Sequence, residues 1–157
     1  MIVRPARIED IPALATMAER SYRAAFASIL EADVLAGRNA AFFAERFATS
    51  WRRMLVALFD DKTVGFLLMT DGHIDMLFMD PDASGRGGGA RLLREAEASG
   101  AKSLECFRDN HGARRFYERH GWRVTREYER DFAGKSRSFV FYERGFNEPV
   151  CISLTSS

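Results

Sequence analysis

Four of the five residues from 85 to 89 carry no side chain, and the exception is Arg86. Glycine inside a helix costs about 1 kcal/mol relative to alanine. So many glycines opening a helical stretch imply that something comes very close to the backbone there. The unpaired N–H groups of a first helical turn, with the helix dipole behind them, attract phosphate. A phosphate-bearing cofactor at this bend is therefore the first expectation. Just upstream, His73, Asp75 and Leu77 share one face of a strand-like run, because side chains alternate along a strand. Cys106 falls in a strand expected to be buried and reads as a small core residue, not a nucleophile.

These residues need elements to hold them. Residues 2–6 read as a short strand, with Pro5 tolerable at an edge. Asp10 is a plausible N-cap with Pro12 just inside a helix whose apolar residues follow the 3.6 period. A second helical stretch covers residues 31–47 and breaks near Gly37. Met54–Phe59 is a continuous apolar run, as in a strand buried on both faces. Residues 63–69 are its partner, and Asp71-Gly72 is a two-residue hairpin signal leading into His73–Met79. The strands ahead of the glycine bend thus form an antiparallel meander. After the bend come a helix at 90–99 ending at Gly100, a strand at Ser103–Phe107, and a helix capped by Asn110 that stops at Gly121. A strand parallel to His73–Met79 at 103–107 would make a right-handed βαβ crossover. A hairpin of 122–128 and 138–143 around Ala133-Gly134-Lys135 completes the sheet, and a tail begins near residue 147.

At 157 residues the chain suits a single domain, expected over 1–146, with one core. A composition of 46% apolar and 29% charged residues is ordinary for a soluble protein, and a net charge of +1 gives no push toward nucleic acid or membranes. No signal peptide or membrane-length apolar run is visible, and Cys106 and Cys151 are too few for a disulfide framework. A cytoplasmic protein without a metal site is the expectation, since His73, His111 and His120 are scattered. Oligomeric state is left open between monomer and homodimer.

Three phosphate motifs compete for the bend. A P-loop needs Gly-Lys-Ser/Thr after its glycines, and none is present. A dinucleotide fingerprint fits Gly85 to Ala90 as G-x-G-x-x-A, with Glu105 20 residues past Gly85. Against it stand the five intervening residues 80–84, including Pro81, and the meander in front. The third is a strand, a proline, and Ser84-Gly85-Arg86-Gly87-Gly88-Gly89, which resembles motif A, Q/R-x-x-G-x-G/A, of the GCN5-related N-acetyltransferases (GNAT). Ser84 stands where that motif has Gln or Arg. Asn110 to Trp122 resembles motif B of the same superfamily, N-x-x-A-x-x-F-Y-x-x-x-G-F, with Trp122 for Phe. Small bacterial members of unassigned substrate are the nearest likeness.

The resemblance implies a mixed α/β acyltransferase fold of about seven strands and four helices, with splayed parallel strands. It also implies direct transfer of acetyl from acetyl-CoA to a primary amine of a small molecule or peptide. Backbone N–H groups of Ser84, Gly85, Arg86, Gly87, Gly88, Gly89 and Ala90 would hold the pyrophosphate. Leu77, Phe78 and Met79 would pair with the pantetheine arm like an added strand. An N–H near Leu77 would polarise the thioester carbonyl. Asn110, Ala113, Phe116 and Tyr117 would flank the arm, and Tyr117 would be the general acid for the departing thiolate. An ammonium must lose its proton before it attacks, so Asp75 or His73 is the candidate base. Tyr22, Phe26, Glu31 and Asp33 are candidates for the acceptor pocket, although Tyr22 and Phe26 also lie on an apolar stripe. The alternative is a non-catalytic acyl-CoA-binding regulatory module of the same fold.

Overall fold

The computed structural model describes residues 1–83 and 85–145. Ser84 and the expected tail from residue 147, with Cys151, lie outside the described residues. Within them the chain forms seven strands and five α-helices and divides into two compact units, Met1–Ala101 and Lys102 onward.

In the first unit β1 (Ile2–Pro5), β2 (Met54–Phe59), β3 (Lys62–Thr70) and β4 (His73–Met79) neighbour one another in that order, all antiparallel. This is the meander the turn residues predicted. Asp71 and Gly72 have φ of 50° and 80°, and Asp60 and Asp61 have 51° and 64°. Two successive left-handed residues match the right-handed twist of the strands they join.

Helix α1 (Ile11–Phe26) packs on α3 (Ala40–Ser50), β3 and β4. Helix α4 (Gly88–Ala98) packs on β2, β3 and β4. The Phe78 ring meets Tyr22 and Phe26 of α1, whereas the neighbouring Met79 points at Gly88 of α4. Adjacent strand residues face opposite ways, so α1 and α4 cover opposite faces of β4. Leu14, Phe43, Phe47, Val56, Phe66, Leu67, Leu68, Leu92 and Leu93 are fully buried between these layers. Burial of side chains this large contributes about 1.5–3 kcal/mol each.

The break expected near Gly37 divides the stretch at 31–47 into two helices, α2 (Ala32–Gly37) and α3, so the helix count is five and not four. The Asn39 side chain accepts the Phe42 N–H at 2.9 Å and starts a new helix. Asp10 does not cap α1 through its side chain. Its carboxylate accepts from Arg4 at 2.8 and 3.0 Å and from the Arg7 N–H at 2.7 Å, closing a 3₁₀ turn at Ile8–Asp10. The Arg4 guanidinium holds the Asp10 carboxyl below its ordinary range.

The second unit orders its strands β5 (Ser103–Phe107), β7 (Lys135–Arg144), β6 (Trp122–Phe132), again antiparallel. Helix α5 (His111–Arg119) packs on β6. The β6–β7 hairpin is longer than its apolar residues suggested, because the polar residues 129–131 and 136–138 continue the ladder. Arg130 also stacks 4.2 Å from the Phe139 ring centroid. Ala133 and Gly134, at φ of 51° and 84°, form the turn.

Candidate functional site

The glycine bend in the first unit resolves into distinct demands. Gly85 and Gly87 have φ of +87° and +80°, where an L side chain is strained. Gly87 is the N-cap of α4 and has no side chain with which to cap it. A Cβ at Gly88 would collide with the Met79 Cε, and one at Gly65 with the Met79 Sδ. These two glycines therefore make room for one methionine. Among the described residues, the Arg91 N–H of α4 bonds back to the Gly87 carbonyl at 3.1 Å. The N–H groups of Gly88, Gly89 and Ala90 precede it, in the turn that has no intrahelical partner. With no acidic residue in that turn, the arrangement fits an oxyanion. Arg86 is exposed, its guanidinium 4.9 Å from the Phe59 ring centroid.

The approach to the bend is anchored by residues the sequence did not single out. Arg20 on α1 bonds Asp80 at 2.9 Å and Asp82 at 2.8 Å, and Ser21, buried, donates to the Met79 carbonyl at 2.9 Å. They lie about 60 positions from their partners, so no local pattern could reveal them. On β4, Leu77 and Met79 are half-buried and pair with Leu67 and Gly65. Asp75 is exposed, and its carboxylate accepts from the Thr70 hydroxyl at 2.7 Å, which itself accepts from Arg53 at 3.2 Å. His73 is half-buried opposite Thr70.

The proposed acceptor residues separate. Tyr22 and Phe26 are both 9% exposed and belong to an aromatic cluster with Phe43 and Phe78, at centroid distances of 4.7–6.1 Å. Glu31 is half-buried at the start of α2, and Asp33 is exposed in its first turn.

In the second unit Asn110 accepts the Ala113 N–H at 3.3 Å, which starts α5. Phe116 and Ala113 are half-buried, and the Phe116 ring lies 5.2 Å from Tyr117 and 4.7 Å from His120. Tyr117 is buried, 5.9 Å from Tyr142 and 6.3 Å from Trp122 between ring centroids. Burial, and then the neighbouring Cys106 and Tyr142, push its phenol above the ordinary range. Burial likewise pushes the Cys106 thiol up to about 12, the opposite of what activates a nucleophile. Tyr142, also missed in the sequence, donates to Glu118 at 2.6 Å and accepts from Arg114 at 3.1 Å, pinning α5 to β7. Glu105, the residue a dinucleotide reading would need, accepts instead from Tyr128 and from Arg130 at 2.5 and 2.9 Å.

Among the described residues no group of three or more His, Cys, Asp or Glu side chains is gathered to hold a metal, and no helix is long and apolar enough to cross a membrane.

Comparison with known proteins agrees with this geometry. The chain is 39% identical over 76 residues to the peptidyl-lysine N-acetyltransferase YjaB of Salmonella typhimurium, covering 48% of this chain and 52% of that protein. It is 42% identical over 77 residues to YjaB of Escherichia coli, with the same coverage. The chain thus spans about half the length of the curated relatives it matches. Its fold matches the solution structure of apo YjaB from E. coli with a TM-score of 0.76 at 27% identity, over 93% of this chain and 100% of that one. It also matches the PaiA N-acetyltransferase of Thermoplasma acidophilum in complex with coenzyme A, with a TM-score of 0.72 at 20% identity, over 92% and 98%. The mixed α/β acyltransferase fold expected from the two motifs is the fold observed. A family model described as an acetyltransferase (GNAT) domain matches residues 19–138, well over half of the sequence, so with motif, fold and family model in agreement the chain belongs to the GNAT acetyltransferase family.

Proposed function

We propose that this chain is an acetyl-CoA-dependent N-acetyltransferase, a single domain over residues 1–146, that moves acetyl directly to a primary amine. The lysine side chain of a peptide is the favoured acceptor, a reading supported by the activity in the names of its YjaB relatives. The observation that carries the proposal is the start of α4, which has a glycine as its N-cap and is entered through two left-handed glycines. Its amides suit a diphosphate, and Arg86 adds positive charge without having to supply the grip.

Acetyl-CoA, when bound, supplies the activated acetyl thioester. The β4 backbone near Leu77 orients that end by strand pairing and offers an N–H to the thioester carbonyl. The amine's proton passes to Asp75 or His73 of β4, through water where contact is indirect. Tyr117 serves as the hydrogen-bond donor to the departing sulfur, an assignment that rests on the motif around it and on its burial. Because its phenol is pushed up, Tyr117 stays protonated at neutral pH. A free thiol near 8.5 is the stronger acid, so Tyr117 acts by a hydrogen bond that strengthens as charge develops on sulfur. With its raised pKa, Cys106 is not the acyl carrier, which favours a ternary complex over an acetyl-enzyme.

The test is thiol release from acetyl-CoA across small amines and lysine peptides. Release that depends on an amine is the expected result. Acetyl-CoA binding without turnover for every acceptor would replace this reading with an acyl-CoA-binding module, and binding of NAD(P) but not of CoA would replace both.

A further inference from the structure

The second unit carries a cavity of about 490 Å³ whose lining includes Lys102, Arg123, Arg144, Thr125, Phe141 and Glu143. None of the motifs accounts for it. Its construction follows from register. Ser103 and Arg123 both stand opposite Glu143, one on each side of it in the sheet. The Arg144 N–H donates to the Lys102 carbonyl at 3.2 Å, and the Gly145 N–H to the Gly121 carbonyl at 2.9 Å. A Cβ on Gly145 would collide with that Gly121 oxygen, so glycine closes this end of the cavity. A register shift between Val124 and Arg126 puts an extra residue, Thr125, into β6 beside Phe141. Bulges of this kind re-aim side chains and are frequent next to binding sites.

Three cations face one carboxylate, and such a concave positive lining concentrates anions. Lys102 and Arg123 are exposed, and no ion pair among the described residues involves either of them or Glu143. The volume lies within the range of small-ligand sites. Glu143 decides between anions. It repels a phosphate group of nearly two charges more strongly than a carboxylate of one. The apolar edge of Phe141 suits the methylene stem of an acidic side chain, and a guanidinium fork suits its carboxylate.

We propose that this cavity docks the carboxylate side chains of an acidic peptide segment. Resting on the reading above, acceptor lysines flanked by Glu or Asp are then preferred. The test uses the whole 157-residue chain, so an occupant from the chain's own end would register as absence of binding. Two fluorescent peptides with a central lysine, one flanked by Glu and one by Gln, are titrated by anisotropy. The Glu peptide should bind about ten-fold or more tightly, lose that advantage in high salt, and lose it in both Arg123→Glu and Lys102→Glu. Acetyl-CoA affinity, unchanged in either variant, reports the fold. Equal binding of the two peptides, a preference that survives both variants, or inorganic phosphate fully displacing the Glu peptide at equal concentration would overturn the proposal. Acetylation kinetics separate the two readings. Glu-dependent binding without turnover leaves the docking site and removes the enzyme, whereas turnover with equal KM for both peptides does the reverse.

Discussion

The bend at residues 85–90 and the helix α5 with its partner β7 serve the same proposed reaction by different means. In the bend the chemistry belongs to the backbone. Gly85 and Gly87 adopt left-handed conformations, α4 starts on a glycine N-cap, and Gly88 stands aside for Met79. Around α5 the chemistry belongs to side chains. Asn110 caps the helix, Tyr142 ties it to β7 through Glu118 and Arg114, and Tyr117 is held in a buried aromatic setting. A backbone site tolerates exchange of its side chains but not of its glycines. A side-chain site fails with the loss of one atom.

The largest effect that contrast predicts is at Tyr117. Removing only its hydroxyl, in Tyr117→Phe, should lower kcat about 100-fold or more, with acetyl-CoA affinity and melting temperature nearly unchanged. Steady-state kinetics beside calorimetric binding decide it, and an unaltered kcat removes Tyr117 from the reaction.

The middle effect belongs to the bend and compares two neighbours. Gly87→Ala forces a side chain into φ near +80°, a penalty of about 1–2 kcal/mol. Acetyl-CoA should therefore bind about 5–30-fold more weakly. Arg86→Ala, which removes a full charge but no amide, should weaken binding by less than about three-fold, since an exposed charge is screened. If Arg86→Ala proves the more damaging of the two, the bend is a side-chain site after all and the comparison fails.

The smallest effect is a pH dependence confined to the second unit. Burial first, and then their hydrogen bonds to Glu105 and Glu118, push Tyr128 and Tyr142 up to about 12. An unfolded tyrosine ionises near 10. Their raised pKa values mean that the unfolded chain loses these protons first. The stabilisation is complete below about pH 10 and is lost as pH rises toward 12. Phenolate absorbance should follow unfolding in that window, and reversible ionisation of every tyrosine near pH 10 in the folded protein would contradict it.

Local pattern was enough for much of this molecule. Strands β2, β4 and β5 and the Asn110 cap were legible from apolar runs and turn residues, because hairpin turns and helix starts are decided by residues a few positions apart. The bend and the motif around Tyr117 were visible for the same reason. Pattern failed where two readings shared one period. Tyr22 and Phe26 suited both an acceptor wall and a core, and the structure shows them buried in an aromatic cluster. Asp10 had the right type and place for a cap, but Arg4 and the Arg7 amide already hold its carboxylate.

What the sequence determined by itself is therefore the family, the order of elements and the two motifs. Each rests on steric and hydrogen-bonding preferences that act over a few residues. Only the tertiary structure decided that Met79 packs against both Gly65 and Gly88, that Arg20 and Ser21 anchor the approach to the bend, and that Tyr142 fixes α5. It alone also gathered Lys102, Arg123 and Arg144 around one cavity. Those contacts join residues tens of positions apart, and their partners are chosen by which strand faces and registers the folded sheets bring together.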